Sequence, residues 1–237
     1  MKIIFKLVVF MFLFINTKGQ QILQGSELFE FAKIAEQYRS ASNMTFNMNI
    51  TYVDSAFSDS VLESMNARYI LNEGQFWSYI DSVEFFEDDR FGVSVNYRDS
   101  IIELHKKDER NQILQLPVLD SLFREASVAS VVAEQINDST NKIKFQFLPG
   151  SHYNTYEITY HNTKLLIRTI KMVVKDYSLL EDGGSGVSCI TMQFENYSFD
   201  PVDMKLFNRF RFLTLQGVDY VPKSQFTGFE VINKTGN

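Results

Sequence analysis

Three histidines and one cysteine are the side chains best suited to chemistry in this sequence, and their spacing assembles no site. His152 and His161 flank one alternating stretch without the H-x-H or H-x-x-x-H spacing that brings two imidazoles to one metal, and His105 stands apart. Cys189 lies in Val187-Ser188-Cys189-Ile190-Thr191-Met192 with no basic neighbour to favour its thiolate. It reads as a small half-buried side chain rather than a nucleophile. The chain has no G-x-S-x-G, no P-loop and no G-x-G-x-x-G. Glu87-Asp88-Asp89 lacks the spaced oxygens of a calcium loop and predicts a solvated turn. No catalytic residue, metal ligand or cofactor is expected.

The chemistry that the residue types do support is apolar contact. The chain holds 22 Phe, 11 Tyr and 8 Met, many of them alternating with polar neighbours. Phe46, Met48, Ile50 and Tyr52 alternate with Thr45, Asn47, Asn49 and Thr51. Met65, Tyr69 and Phe76 follow, and Phe145, Phe147, Tyr156, Met172 and Met192 recur later. A strongly curved sheet lined this way makes an apolar concavity, and pliable methionine suits an acyl chain. Covered by helices, the same side chains would be ordinary core. Only two short helices are available to cover so much sheet, which favours an open groove with these residues as its lining. Period two leaves either face of each strand free to point inward.

These side chains need elements to hold them. Ser26 is a good N-cap, Glu27 and Glu30 suit a helix N-terminus, and Leu28, Phe31, Ala32, Ala35 and Tyr38 recur at helical spacing. After Met44 the period changes to two. Strands are predicted at about residues 45–52, 64–71, 75–80, 83–87, 90–97 and 100–106, with Leu71-Asn72-Glu73-Gly74 as a turn. Asp-Ser pairs such as Asp54-Ser55 and Asp81-Ser82 punctuate the runs as turn residues. A short helix is predicted at Pro117–Ala126, and strands resume at about 128–136, 142–148, 153–161, 164–175, 187–198 and 207–214. Glu181–Gly186 is a flexible connection, and Phe229–Ile232 predicts a last strand.

The N-terminus predicts export. Lys2 and Lys6 precede the apolar run Leu7–Ile15, and Thr17-Lys18-Gly19 places small residues at a cleavage site, so residues 1–19 read as a signal peptide. Residues 20–237 are then expected to form one β-rich domain. The whole chain has 23 Lys+Arg against 29 Asp+Glu, a net −6, and loss of Lys2, Lys6 and Lys18 with the signal deepens it to −9. That balance argues against nucleic acid and anionic membrane surfaces as partners. A single cysteine permits no internal disulfide, which fits a bacterial periplasm better than a eukaryotic secretory route.

The layout resembles the LolA/LolB-like periplasmic lipoprotein-carrier superfamily. The resemblance lies in the signal, the helix at Leu28–Tyr38, the run from Met44-Thr45-Phe46 and the long meander. It closes with Ile190–Tyr197, leading through Val202–Phe207 to Gly217-Val218-Asp219-Tyr220-Val221-Pro222. The family's Asp-Gly-x-x-Leu-Trp-x-Tyr strand motif is missing, and Tyr97–Leu104 occupies its place loosely. Two residues, Arg68 and Arg90, are candidates for the family's functional arginine. The resemblance implies an α+β, mainly β fold: a curved antiparallel open half-barrel with the N-terminal helix and the short mid-chain helix as a lid. It also implies a periplasmic, non-enzymatic carrier or binding protein for a lipid or acylated, lipoprotein-like ligand, acting as a monomer. The alternative is a cell-envelope scaffold that binds a protein partner through its sheet edges without a lipid.

Overall fold

The computed structural model describes residues 26–55, 60–88, 90–106, 128–177, 179 and 185–235. The expected signal at 1–19, the short helix at 117–126, and residues 181–184 of the flexible connection lie outside them. One α-helix, α1 (Ser26–Arg39), precedes strands β1 (Met44–Asp54), β2 (Val61–Asn72), β3 (Gln75–Ile80), β4 (Val83–Glu87), β5 (Phe91–Asn96) and β6 (Ile101–Lys106). Then come β7 (Val128–Asn137), β8 (Thr140–Phe147), β9 (Tyr153–His161), β10 (Ile167–Lys175) and β11 (Val187–Ser198). A small antiparallel pair, β12 (Leu213–Gln216) and β13 (Asp219–Pro222), and a last strand, β14 (Glu230–Asn233), complete the described strands.

The strand order is β14-β6-β5-β4-β3-β2-β1-β11-β10-β9-β8-β7. Consecutive strands are therefore neighbours nearly throughout, as tight turns between alternating runs demand. At the β2–β3 turn Glu73 and Gly74 both take positive φ, 48° and 82°, the pattern of a two-residue hairpin whose twist suits the strands. Glycine adopts it without strain. The end strands β14 and β7 do not pair with each other, so the fold is mainly β with an open sheet rather than a closed barrel.

The chain packs as two compact units. Unit one holds α1 to Gln37, β1 from Asn49, β2 to Met65 and the chain from β7 to Phe194. Its sheet is two-faced. On one face Phe145, Tyr156, Met172 and Ile190 stand opposite one another on successive strands, and Ile143, Ile158, Ile170 and Met192 form the adjacent row. All eight are buried. The other face carries Lys144 paired with Glu157 at 3.0 Å and Lys142 paired with Glu134. α1 lies on the apolar face, with the Phe31 ring edge-on to Phe145 at 5.5 Å. Within unit one the helix buries Phe31 and Ile34, three positions apart in a stripe on one side of the helix. Ala32, expected on that stripe, is exposed, because the stripe runs one position aside, through Ile34.

Unit two holds Tyr38–Met48, the sheet from Asn66 through β6, and the chain from Glu195. Ile70, Trp77, Phe86, Val93 and Leu104 face one another across β2 to β6, and Phe207, Phe212 and Leu213 pack against them. The strand expected at 207–214 is instead two 3-10 turns, Met204–Phe207 and Arg209–Arg211, with β12 beginning only at Leu213. Asp203 and Asn208 explain the difference: each side chain accepts a backbone N–H two residues on, from Lys205 and Phe210. The turns aim Arg209 inward at Asp88. Consequently Glu87 and Asp88 are buried rather than part of a solvated turn, and Asp89 lies outside the described residues.

Candidate functional site

The candidate site is the apolar face of unit one, built by the period-two alternation of β8 to β11 and the end of β1. Phe145, Phe147, Tyr156, Met172 and Met192 from the expected lining lie on this face and are buried. Ile50 and Tyr52, from the inward pattern of β1, are buried as well. Met65, on β2, is half-buried. Sequence reasoning missed Ile143, Ile158, Ile170 and Ile190, which complete the two rows. The same alternation marks them; the expected lining weighs aromatic and methionine side chains and takes Ile50 of β1 as its one isoleucine.

Phe46, Met48, Tyr69 and Phe76 belong to unit two. Phe46 stacks on Tyr69 at 5.3 Å and meets Tyr38 edge-on at 6.1 Å, and Phe76 stacks on Phe85 at 5.1 Å. Tyr69, Phe76 and Phe85 are half-buried and stand on the sheet face opposite the Ile70–Trp77–Phe86 row. They lie outside the core cluster that Phe207, Phe212 and Leu213 join, and Tyr197 reaches the same side by packing on Phe46 at 5.4 Å.

Polar groups bound the apolar face of unit one at its margins. Tyr52 donates its hydroxyl to Asp176, and Asp54 accepts from the Ser185 hydroxyl at 2.6 Å and backbone N–H at 3.0 Å. Burial and the Asp176 bond both push the Tyr52 phenol above its usual range. Tyr160 donates to Glu30 of α1 at 3.3 Å. Tyr156 is different. Its hydroxyl is buried with no hydrogen-bond partner among the described residues, and burial, with Tyr153 adding to it, pushes its phenol far up. In unit two the Tyr38 and Tyr197 hydroxyls share a bond of 2.5 Å, and burial raises Tyr197 strongly.

The ionisable candidates are dispersed. His105 Nε2 lies 3.3 Å from a Glu103 carboxylate oxygen, His161 bonds the Thr163 hydroxyl at 3.2 Å, and His152 lies edge-on to Tyr153 at 5.3 Å. No group of three His, Cys, Asp or Glu side chains among the described residues is placed to hold a metal ion. Cys189 is half-buried beside Thr191. Arg68 and Arg90 are both exposed, while the buried arginine among the described residues of unit two is Arg209. No described helix is long and apolar enough to cross a membrane.

No protein-family model matches the sequence, and no curated protein matches it. Among solved structures, the chain is similar to an uncharacterized conserved protein from Thermus thermophilus, with 9% identity over 86% of this chain and 99% of that one, at a TM-score of 0.48. It is similar to Mycobacterium tuberculosis lipoprotein LppX, with 10% identity over 75% and 96% of the two chains and a TM-score of 0.41. It is also similar to a LolA superfamily protein from Nitrosomonas europaea, with 8% identity over 76% and 98% and a TM-score of 0.36.

Proposed function

We propose that the chain is a non-enzymatic carrier or binding protein of the periplasm for a lipid or acylated polypeptide. The observation that carries this reading is the pair of unbroken apolar rows in unit one, Phe145 to Ile190 and Ile143 to Met192. The one helix described over them, α1, is 14 residues long. At 1.5 Å per residue its stretch within unit one, Ser26–Gln37, spans about 18 Å, on the scale of a long extended acyl chain. Displacing it uncovers a surface on which each CH₂ of an acyl chain gains about 0.8 kcal/mol. The helix is thus a lid whose own apolar stripe competes with the ligand.

A second reading has its own observation. β7 ends the sheet, and its Val132 and Ile136 are about half exposed. An open strand edge of this kind accepts an added strand from a protein partner.

Native mass spectrometry of residues 20–237, purified gently from periplasm, separates the two. Adducts of lipid mass that vanish on denaturation support the carrier. A bare mass, with no uptake of added fatty acid or lipopeptide, shifts the assignment to the edge-binding protein.

A further inference from the structure

Four tyrosines are buried among the described residues, and three of them have spent their hydroxyls: Tyr38 on Tyr197, Tyr52 on Asp176 and Tyr160 on Glu30. Tyr156 has no such partner among the described residues. Its ring packs edge-on against Phe145 at 6.0 Å and stands opposite Met172, in the middle of the apolar face. A phenylalanine would fill the same ring position without burying an unpaired O–H, so the hydroxyl makes this face less stable than it needs to be. Such an orphan is explained when its partner arrives from outside.

We propose that the Tyr156 hydroxyl is the polar anchor of the acyl-binding face and donates a hydrogen bond to an uncharged carbonyl, the ester or amide that joins an acyl chain to its headgroup. This rests on the carrier reading. The phenol stays protonated because burial disfavours its anion, so it is a donor. Its buried O–H then needs an acceptor to be satisfied. Its ladder neighbours Phe145, Met172, Ile143, Ile158, Ile170 and Ile190 carry no charge, and the lysines of β8 and β10 stand on the opposite face. Tyr153, itself a phenol, is the ionisable group whose charge bears on it. An ionised fatty-acid carboxylate would be buried here without a counter-ion, whereas an ester or amide needs none. The face therefore discriminates an acylated molecule from a free fatty acid.

The test compares the whole exported chain with its Tyr156→Phe variant by titration calorimetry, using monopalmitoylglycerol and palmitate at pH 8. Wild type is expected to bind the ester more tightly than palmitate, and the variant to bind it roughly fivefold to tenfold more weakly, the worth of one neutral hydrogen bond. The unliganded variant is expected to melt no lower than wild type, which also shows that it folds. Equal ester affinity in the two proteins, a preference for palmitate, or a lower melting point in the variant overturns the anchor while leaving the carrier standing. Failure of wild type to bind either probe overturns the carrier and the anchor with it.

Discussion

Asp88 and Arg209 lie 121 positions apart in sequence and form a buried ion pair, each side chain only 6% exposed. Asp88 also accepts the backbone N–H groups of Arg90 at 2.8 Å and Phe91 at 2.9 Å, and the guanidinium lies over the rings of Phe91, Phe210 and Tyr220. The pair fastens the C-terminal turns of unit two onto its sheet. Losing one partner strands a buried charge, so Arg209→Leu is expected to cost about 3–5 kcal/mol. The double variant Asp88→Leu/Arg209→Leu is expected to recover part of that loss. Urea denaturation of the four proteins checks the cycle; additive effects would show that the two residues act independently.

Phe145 joins the helix and the sheet of unit one through its contacts with Phe31 and Tyr156. Phe145→Ala is expected to destabilise the unliganded chain by about 3–5 kcal/mol, since a large ring leaves a cavity between packed elements. If the face takes an acyl chain, added monopalmitoylglycerol restores a measurable part of the lost melting temperature. No restoration at saturating ester argues against a ligand in that space.

The lid predicts a kinetic effect separate from affinity for the head. Tyr160→Phe removes the 3.3 Å bond to Glu30 and leaves the ring. Stability is expected to fall by about 1 kcal/mol or less, while release of bound ester accelerates roughly threefold. Stopped-flow displacement measures the release, and an unchanged rate would mean that α1 does not gate the face.

His105 sets a pH dependence in unit two. Burial lowers its pKa from the ordinary 6.5, with Glu103 opposing that shift and Lys234 adding to it. The unfolded chain therefore binds the proton more readily than the folded one, and stability falls as pH drops below about 6.5. His105→Gln is expected to flatten the stability curve between about pH 7 and pH 5. Urea midpoints across that range give the answer, and an equally steep curve in the variant would assign the slope to other groups.

The strands are legible because alternation is a local property. Phe46, Met48, Ile50 and Tyr52 announce their strand by alternation, and the assembled structure supplies the face, burying all four. The segment at 207–214 misleads for the opposite reason. Phe210 and Phe212 alternate with Arg209 and Arg211, yet Asn208 caps a turn and Arg209 answers an aspartate on a distant part of the chain. Asp88 reads as a solvated turn residue in sequence because its partner is remote. The unpaired hydroxyl of Tyr156 is equally invisible there, since only the assembled sheet shows which tyrosines have found partners.

Trp77, the one tryptophan in the chain, donates its indole N–H to Glu84 at 2.5 Å and packs in the apolar cluster of unit two. Glu84 also takes the Tyr97 hydroxyl at 2.8 Å and the Arg211 guanidinium. The intrinsic tryptophan fluorescence of the molecule is therefore a private reporter of one unit, quenched or shifted when the C-terminal turns let go. Far-ultraviolet dichroism is sensitive to the strands of both units. Where the two signals part company along a denaturant series, the chain melts in stages; where they coincide, it melts as one body.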